Sequence, residues 1–147
     1  ALDKLGQDMD KTLDTIRQGN LDDTAAAQQK LAQQLQELIQ KAENAKAMGK
    51  VLKDGLEQLM KRHPLIGEVR GRGLLLGMEL VKDRETKTYA TEECVRLLDA
   101  CKARGLLIGK GGLYGNVVRL APPISINREQ IDFMLGVMDE ALAEVAK

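Results

Sequence analysis

Leu2, Leu5, Met9, Leu13 and Ile16 recur at three- and four-residue intervals, with Asp, Lys, Gln and Thr between them. That spacing predicts an amphipathic helix, and Gly19-Asn20 predicts its end. Asp22 or Asp23 is a plausible N-cap for a second helix opening at Thr24-Ala25-Ala26-Ala27. The second pattern is long. Leu31, Leu35, Leu38, Ala42, Ala45, Gly49, Leu52, Leu56 and Leu59 keep a 3-4 alternation until Pro64, whose ring pushes His63 out of helical geometry. Such a stripe needs a partner, and the first helix folded back as an antiparallel hairpin is the nearest one.

Beyond residue 64 the pattern changes. Val69-Arg70-Gly71 and residues 74–81 predict two strands meeting at Gly71-Arg72-Gly73. Residues 82–89 predict a polar loop. Thr91 is expected to cap a helix with Glu92 or Glu93 at its positive end, stopping at Gly105. Residues 106–108 and 117–120 predict short strands around a glycine-rich loop at 109–115. Asn127 is expected to cap a final helix with Ile131, Leu135, Met138, Leu142 and Val145 inward. The fold class is therefore α+β: an N-terminal antiparallel helical hairpin, then a small mixed or antiparallel sheet covered on one face by helices.

Composition narrows the function. Lys+Arg and Asp+Glu each total 22, so no net charge draws the chain to nucleic acid or an acidic membrane. Aromatic residues make up 2%, with no Trp, which argues against base-stacking platforms. No apolar run reaches the length of a membrane span, and no signal-peptide pattern opens the chain. Cys94 and Cys101 stand seven apart on one predicted helix, about 10 Å along its axis and too far for a disulfide. Reduced core or half-buried thiols suit a cytoplasmic protein.

The tempting motifs are weak. Gly71-Arg72-Gly73 followed by Gly77 misses the dinucleotide fingerprint by one residue and precedes a strand. Gly105 to Gly109-Lys110 is too short for a phosphate loop and lacks a following Ser or Thr. His63, the single histidine, is expected to serve the helix C-terminus, and no cluster of ligands supplies a metal site. Neither cysteine has a sequence-neighbouring histidine to activate it. Gly6, Gly49 and Gly55 interrupt helical patterns, and Gly49 lies in the apolar stripe, where close approach of another element explains it.

Three ordered blocks carry a resemblance. They are residues 63–80 (His63-Pro64-Leu65-Ile66-Gly67-Glu68-Val69-Arg70-Gly71-Arg72-Gly73 through Glu79-Leu80), residues 105–116 (Gly105-Leu106-Leu107-Ile108-Gly109-Lys110-Gly111-Gly112-Leu113-Tyr114-Gly115-Asn116), and Val118-Arg119-Leu120-Ala121-Pro122-Pro123. This region resembles the C-terminal small domain of class III, pyridoxal-phosphate-dependent aminotransferases. The glycine-rich stretch before the Arg-x-Ala-Pro-Pro segment is most similar to the alanine–glyoxylate branch. The resemblance begins near Glu43-Asn44-Ala45, giving a domain at 43–147 and a helical hairpin or extension of unrecognised origin at 1–42.

The resemblance implies that Arg119 grips the substrate's α-carboxylate, a task suited to a planar guanidinium making two parallel hydrogen bonds. It also implies that the Schiff-base lysine, the aspartate on the pyridinium nitrogen and the phosphate cradle belong to a large domain upstream. Residues 1–42 do not resemble that domain. No catalytic, cofactor-binding or metal residue is therefore assigned, and no cofactor is expected in this chain. The expected function is a folded scaffold without catalysis of its own, possessing the features of a designed or recombined chimera joined at residues 40–45. The alternatives are a fragment or subunit of a transaminase active only with a large domain, and an interaction module. In the latter the apolar stripe of residues 1–62 binds itself or a partner helix.

Overall fold

The computed structural model describes residues 2–18 and 21–146. They form four helices and five strands in the order α1 (Leu2–Arg17), α2 (Leu21–Arg62), β1 (Ile66–Arg72), β2 (Leu75–Asp83), β3 (Thr88–Tyr89), α3 (Thr91–Ala103), β4 (Gly109–Gly111), β5 (Val117–Leu120) and α4 (Arg128–Val145). The chain divides into two compact units, residues 1–43 and 44–147. No described helix is long and apolar enough to cross a membrane. Gly19 and Asn20 lie outside the described residues.

The first unit is the antiparallel hairpin that the stripe demanded. Asp8 on α1 accepts hydrogen bonds from Lys30 Nζ at 3.3 Å and Gln34 Nε2 at 2.8 Å, while Lys4 and Leu5 line a depression with Glu37, Leu38 and Lys41 of α2. The face that closes this seam differs from the expected one. Thr12 is buried and Leu5, Asp8 and Thr15 are half-buried, whereas Met9, Leu13 and Ile16 are 48–51% exposed. Thr12 fits there because its hydroxyl donates back to Asp8 O at 2.7 Å. Helix α2 begins at Leu21, so Asp22 and Asp23 fall inside its first turn rather than at the N-cap position.

The second unit is an antiparallel sheet with helices on one face. The strand order is β1-β2-β5-β4, and β3 pairs with the end of β2. On β2, Leu76, Met78 and Leu80 are buried, and Leu76 and Met78 pair across with Leu120 and Val118 of β5, so this face meets the helices. Alternation sends Leu75, Gly77 and Glu79 to the opposite face. The core joins those strand residues to Leu52, Leu56 and Leu59 of α2, Cys94, Leu97 and Cys101 of α3, and Ile131, Met138 and Leu142 of α4. Such burial of aliphatic side chains contributes about 1.5–3 kcal/mol each.

Gly49 does what its place in the stripe suggested. A methyl group there would stand 2.3 Å from the backbone carbonyl carbon of Gly73, so α2 touches the β1–β2 turn at a distance only glycine allows. Gly55 meets the side-chain methyl groups of Leu135 on α4, a contact that a rotamer change could relieve.

Several local expectations are corrected. β1 starts at Ile66, three residues early, and the hairpin closes at Gly73-Leu74, because Arg72 pairs with Leu75. The 82–89 loop contains β3, folded back by Asp83, whose carboxylate accepts from the backbone N–H of Glu85 and Thr86. Residues 106–108 are not a strand. The strand is 109–111, inside the expected glycine loop, since backbone pairing to β5 needs no side chain. Thr91 does not cap α3; it is the first helical residue and donates to Tyr114 O at 2.7 Å. Asn127 caps α4 in a reciprocal box with Gln130.

Candidate carboxylate-binding site

Arg119 is the penultimate residue of β5, with Gly77 opposite on β2 and Gly109 opposite on β4. A residue between two glycines has open space on both flanks of its own sheet face. The guanidinium stem lies over Gly109, where a methyl group would come within 3.7 Å of Arg119 Nε. Among the described residues, Arg119 makes no ion pair and no side-chain hydrogen bond, whereas Arg70 pairs with Glu68 and Glu79, and Arg104 with Glu140 and Glu144. A neighbouring acid is the ordinary reason for an arginine on a surface strand, and none serves Arg119. Its five N–H donors have no partner among the described residues, and their planar arrangement fits a carboxylate.

The chain after β5 builds a cleft beside this arginine. Ala121-Pro122-Pro123 leaves the sheet, Ile126 N donates to Pro123 O at 3.0 Å to close a turn, and the Asn127 box starts α4. The cleft, about 470 Å³, is lined by Arg119, Gly109, Pro122, Ile126 and Met134, with Leu107, Gln130 and Phe133 at its sides. Gln130 spends its carbonyl oxygen on Asn127 N at 3.1 Å, so the amide NH₂ is the part of it left for a ligand. Phe133, Gln130 and Leu107 were not legible as site residues in the sequence because their convergence is tertiary. One signal was present: Phe133 is an aromatic lying off the apolar stripe of α4, next to Asp132.

The remaining candidate residues lie elsewhere. His63 follows α2, its N–H bonded to Leu59 O, and its Nε2 is 2.6 Å from Asp139 Oδ1 on α4, a partner the sequence did not reveal. Arg62 Nη1 reaches the other oxygen of Asp139, also at 2.6 Å. Together they hold the Asp139 carboxyl below its ordinary value, the His63 hydrogen bond being the larger cause. Arg84 donates to Met60 O and His63 O at the end of α2 and to Ile66 O at the start of β1, so it satisfies carbonyls on both sides of that turn. Cys94 and Cys101 are buried free thiols whose burial raises their pKa, Cys101 to about 11. Protonated and enclosed, they are poor nucleophiles. The glycine-rich loop turns through positive φ at Gly112 and Gly115, and Tyr114 within it stacks on Tyr89 with ring centres 3.9 Å apart.

The family model for aminotransferase class-III matches residues 18–142. The chain belongs to the class III aminotransferase family. It is 48% identical over 103 residues to the alanine–glyoxylate aminotransferase 2 homolog 2, mitochondrial, of Arabidopsis thaliana, covering 70% of this chain and 22% of that protein. It is 37% identical over 109 residues to the leucine/methionine racemase of Thermococcus litoralis, covering 74% of this chain and 24% of that enzyme. The crystal structure of a Bacillus anthracis aminotransferase superposes with a TM-score of 0.70 at 36% identity, over 82% of this chain and 28% of that one. The chain thus spans about a quarter of the length of the curated relatives it matches. The family match starts at residue 18, upstream of the three motif blocks.

The family is pyridoxal-phosphate-dependent, so the Arg119 cleft invites comparison with a cofactor site. Its lining contains neither a lysine for a Schiff base nor a carboxylate for the pyridinium nitrogen. Lys50 is exposed and paired to Asp54 at 2.6 Å, and Lys110 is exposed outside this cleft. The residues here do not fit pyridoxal phosphate.

Proposed function

We propose that this chain is the carboxylate-recognising small-domain portion of a pyridoxal-phosphate-dependent enzyme: a folded scaffold without chemistry of its own that presents Arg119 to the substrate. The observation that carries this is an arginine flanked by glycines and lacking any acidic partner among the described residues. Schiff-base formation and proton transfer then fall to a large domain of the family type. An aminotransferase, a racemase and a relative named for an aminoethylphosphonate ammonia-lyase share this region with the chain while their reactions differ, which supports a division in which the chemistry lies outside it. A join at residues 40–45 would account for the change of texture there, but the family match from residue 18 favours a helix continuous with the family.

Pyruvate titration followed at the backbone amide NMR signals of residue 119 and of Gly77 and Gly109 opposite it tests the binding role. A saturable shift in the millimolar range, abolished in Arg119→Lys, is expected. No shift would refute carboxylate recognition. Borohydride trapping with pyridoxal phosphate tests the absence of chemistry: scattered labelling is expected, and one saturably labelled lysine would overturn it.

A second role is favoured by the half-exposed stripe of Met9, Leu13 and Ile16 with Leu35 and Ile39. Its proposed occupant is another copy of the chain. Asp10, Lys11, Asp14 and Arg17 give α1 two charges of each sign beside the stripe, so an antiparallel copy meets opposite charges. Sedimentation should show a dimer that Leu13→Lys dissociates; a monomer at high concentration would exclude it.

A further inference from the structure

We propose that Arg70 is a positioning residue for the carboxylate grip: by holding Glu79, it keeps that acid off Arg119. The inference rests on Arg119 being the grip and adds what leaves it free to bind.

Val118 and Leu120, on either side of Arg119, are buried in the core, so alternation puts Arg119 on the sheet face opposite the helices. Gly77 and Glu79 of β2 share that face, and so does Arg70 of β1. Gly77 pairs with both Arg70 and Arg119, so the two arginines flank it in one cross-strand row. Glu79 pairs with Val117, two residues before Arg119. That makes it a diagonal neighbour of Arg119, at about 7–8 Å, a span that two long side chains cross. A carboxylate left loose there would close on Arg119, and a substrate carboxylate would have to displace it. Both oxygens of Glu79 are instead engaged elsewhere. Arg70 Nη1 donates to Oε2 at 2.9 Å, and Asn116 Nδ2 donates to Oε1 at 3.3 Å. Asn116 is buried and fixed by a second bond, to Leu80 O at 2.9 Å. Arg70 also donates to Glu68 Oε2 at 2.7 Å, and Glu68 stands directly opposite Glu79. One guanidinium thus offsets two facing carboxylates that would otherwise repel. The same bonds, that of Arg70 foremost, lower the pKa of Glu79, so a released Glu79 would be an anion.

Two measurements on the full chain test this. The first is pyruvate affinity, read from the backbone amides of residues 77, 109 and 119. Arg70→Gln, at an exposed position on the edge strand, should weaken binding about threefold or more, and adding Glu79→Gln should restore it. Arg72→Gln removes an equal charge from the same strand and face while Glu79 stays held, and should leave the affinity unchanged. An Arg70→Gln protein no weaker than Arg72→Gln, or one that Glu79→Gln fails to rescue, would overturn the role of Arg70. The second measurement needs no ligand: the titration midpoint of the Glu79 carboxyl carbon by NMR. In the parent, Arg119→Gln should leave that midpoint in place. In the Arg70→Gln protein it should raise it, because the freed carboxylate then leans on Arg119. An equal response in both backgrounds, or a rise in the parent as large as that from Arg70→Gln, would overturn the proposal. A parent that binds no pyruvate while the Glu79 midpoints behave as expected would remove the grip and leave the Arg70 hold standing.

Discussion

In residues 1–43, Met9, Leu13 and Ile16 are about half exposed and the helix seam is made by Asp8, Thr12, Lys30 and Gln34. In residues 44–147, the same 3-4 spacing puts Leu52, Leu56 and Leu59 at no more than 1% exposure. Periodicity alone therefore does not decide burial. Two helices meeting along one line cover a narrow stripe of each other. A helix lying on a sheet beside other helices is covered over a broader arc, and its whole apolar face goes in. The hairpin is held by polar groups that water can also satisfy and by leucines such as Leu5 and Leu38 that are only half-buried, which yields little net stabilisation. The sheet unit is held by a continuous apolar core, whose removal from water stabilises it far more.

Paired glycine substitutions probe this difference most sharply. Gly49→Ala in the sheet unit sets a methyl group 2.3 Å from the Gly73 backbone, and neither element can yield without opening the core. A loss of about 3 kcal/mol is expected. It can be measured by urea unfolding followed through tyrosine, since Tyr89 and Tyr114 both lie in residues 44–147. An unchanged midpoint would mean that α2 does not rest on the β1–β2 turn. Gly6→Ala should act oppositely. Nothing lies within 4 Å of that methyl group, and alanine favours the helix by about 1 kcal/mol. Slower amide exchange along α1, with the tyrosine transition unmoved, is the expected result.

The sequence was most legible where one signal sufficed. Asn127 marked the start of α4, and the apolar run at 74–81 marked a strand. It was less legible where partners decide. Thr91 has a capping residue's chemistry, but its hydroxyl is drawn to Tyr114 O. Gly109-Lys110-Gly111 has a turn's composition, yet forms a strand because β5 offers it a backbone ladder. The site divides in the same way. Arg119 was reached through motif resemblance, while its missing acid and the wall at Phe133 depend on which elements meet around it.

The smallest expected effect concerns the carboxylates that tie helices together in the two units. Asp139 links α4 to the end of α2 through His63 and Arg62, and its pKa is depressed below the ordinary 3.8, chiefly by the His63 hydrogen bond. A depressed folded-state pKa stabilises the fold at pH values above the unfolded value, and that contribution is lost as the pH falls through the folded value. Asp139→Asn removes the titrating group. The mutant should be less stable than the parent at neutral pH, by about 1 kcal/mol or less because the pair is partly exposed. The gap should close as the pH drops below 3.8, read from urea midpoints of the tyrosine signal. Asp8 in the hairpin is depressed in the same direction, first by Gln34 and then by Lys30. Asp8→Asn should therefore alter the acid response of α1 amide exchange and leave the tyrosine midpoints alone. A gap at Asp139 that stayed constant with pH would assign the Asn effect to geometry and remove the ion pair from the stability of the sheet unit.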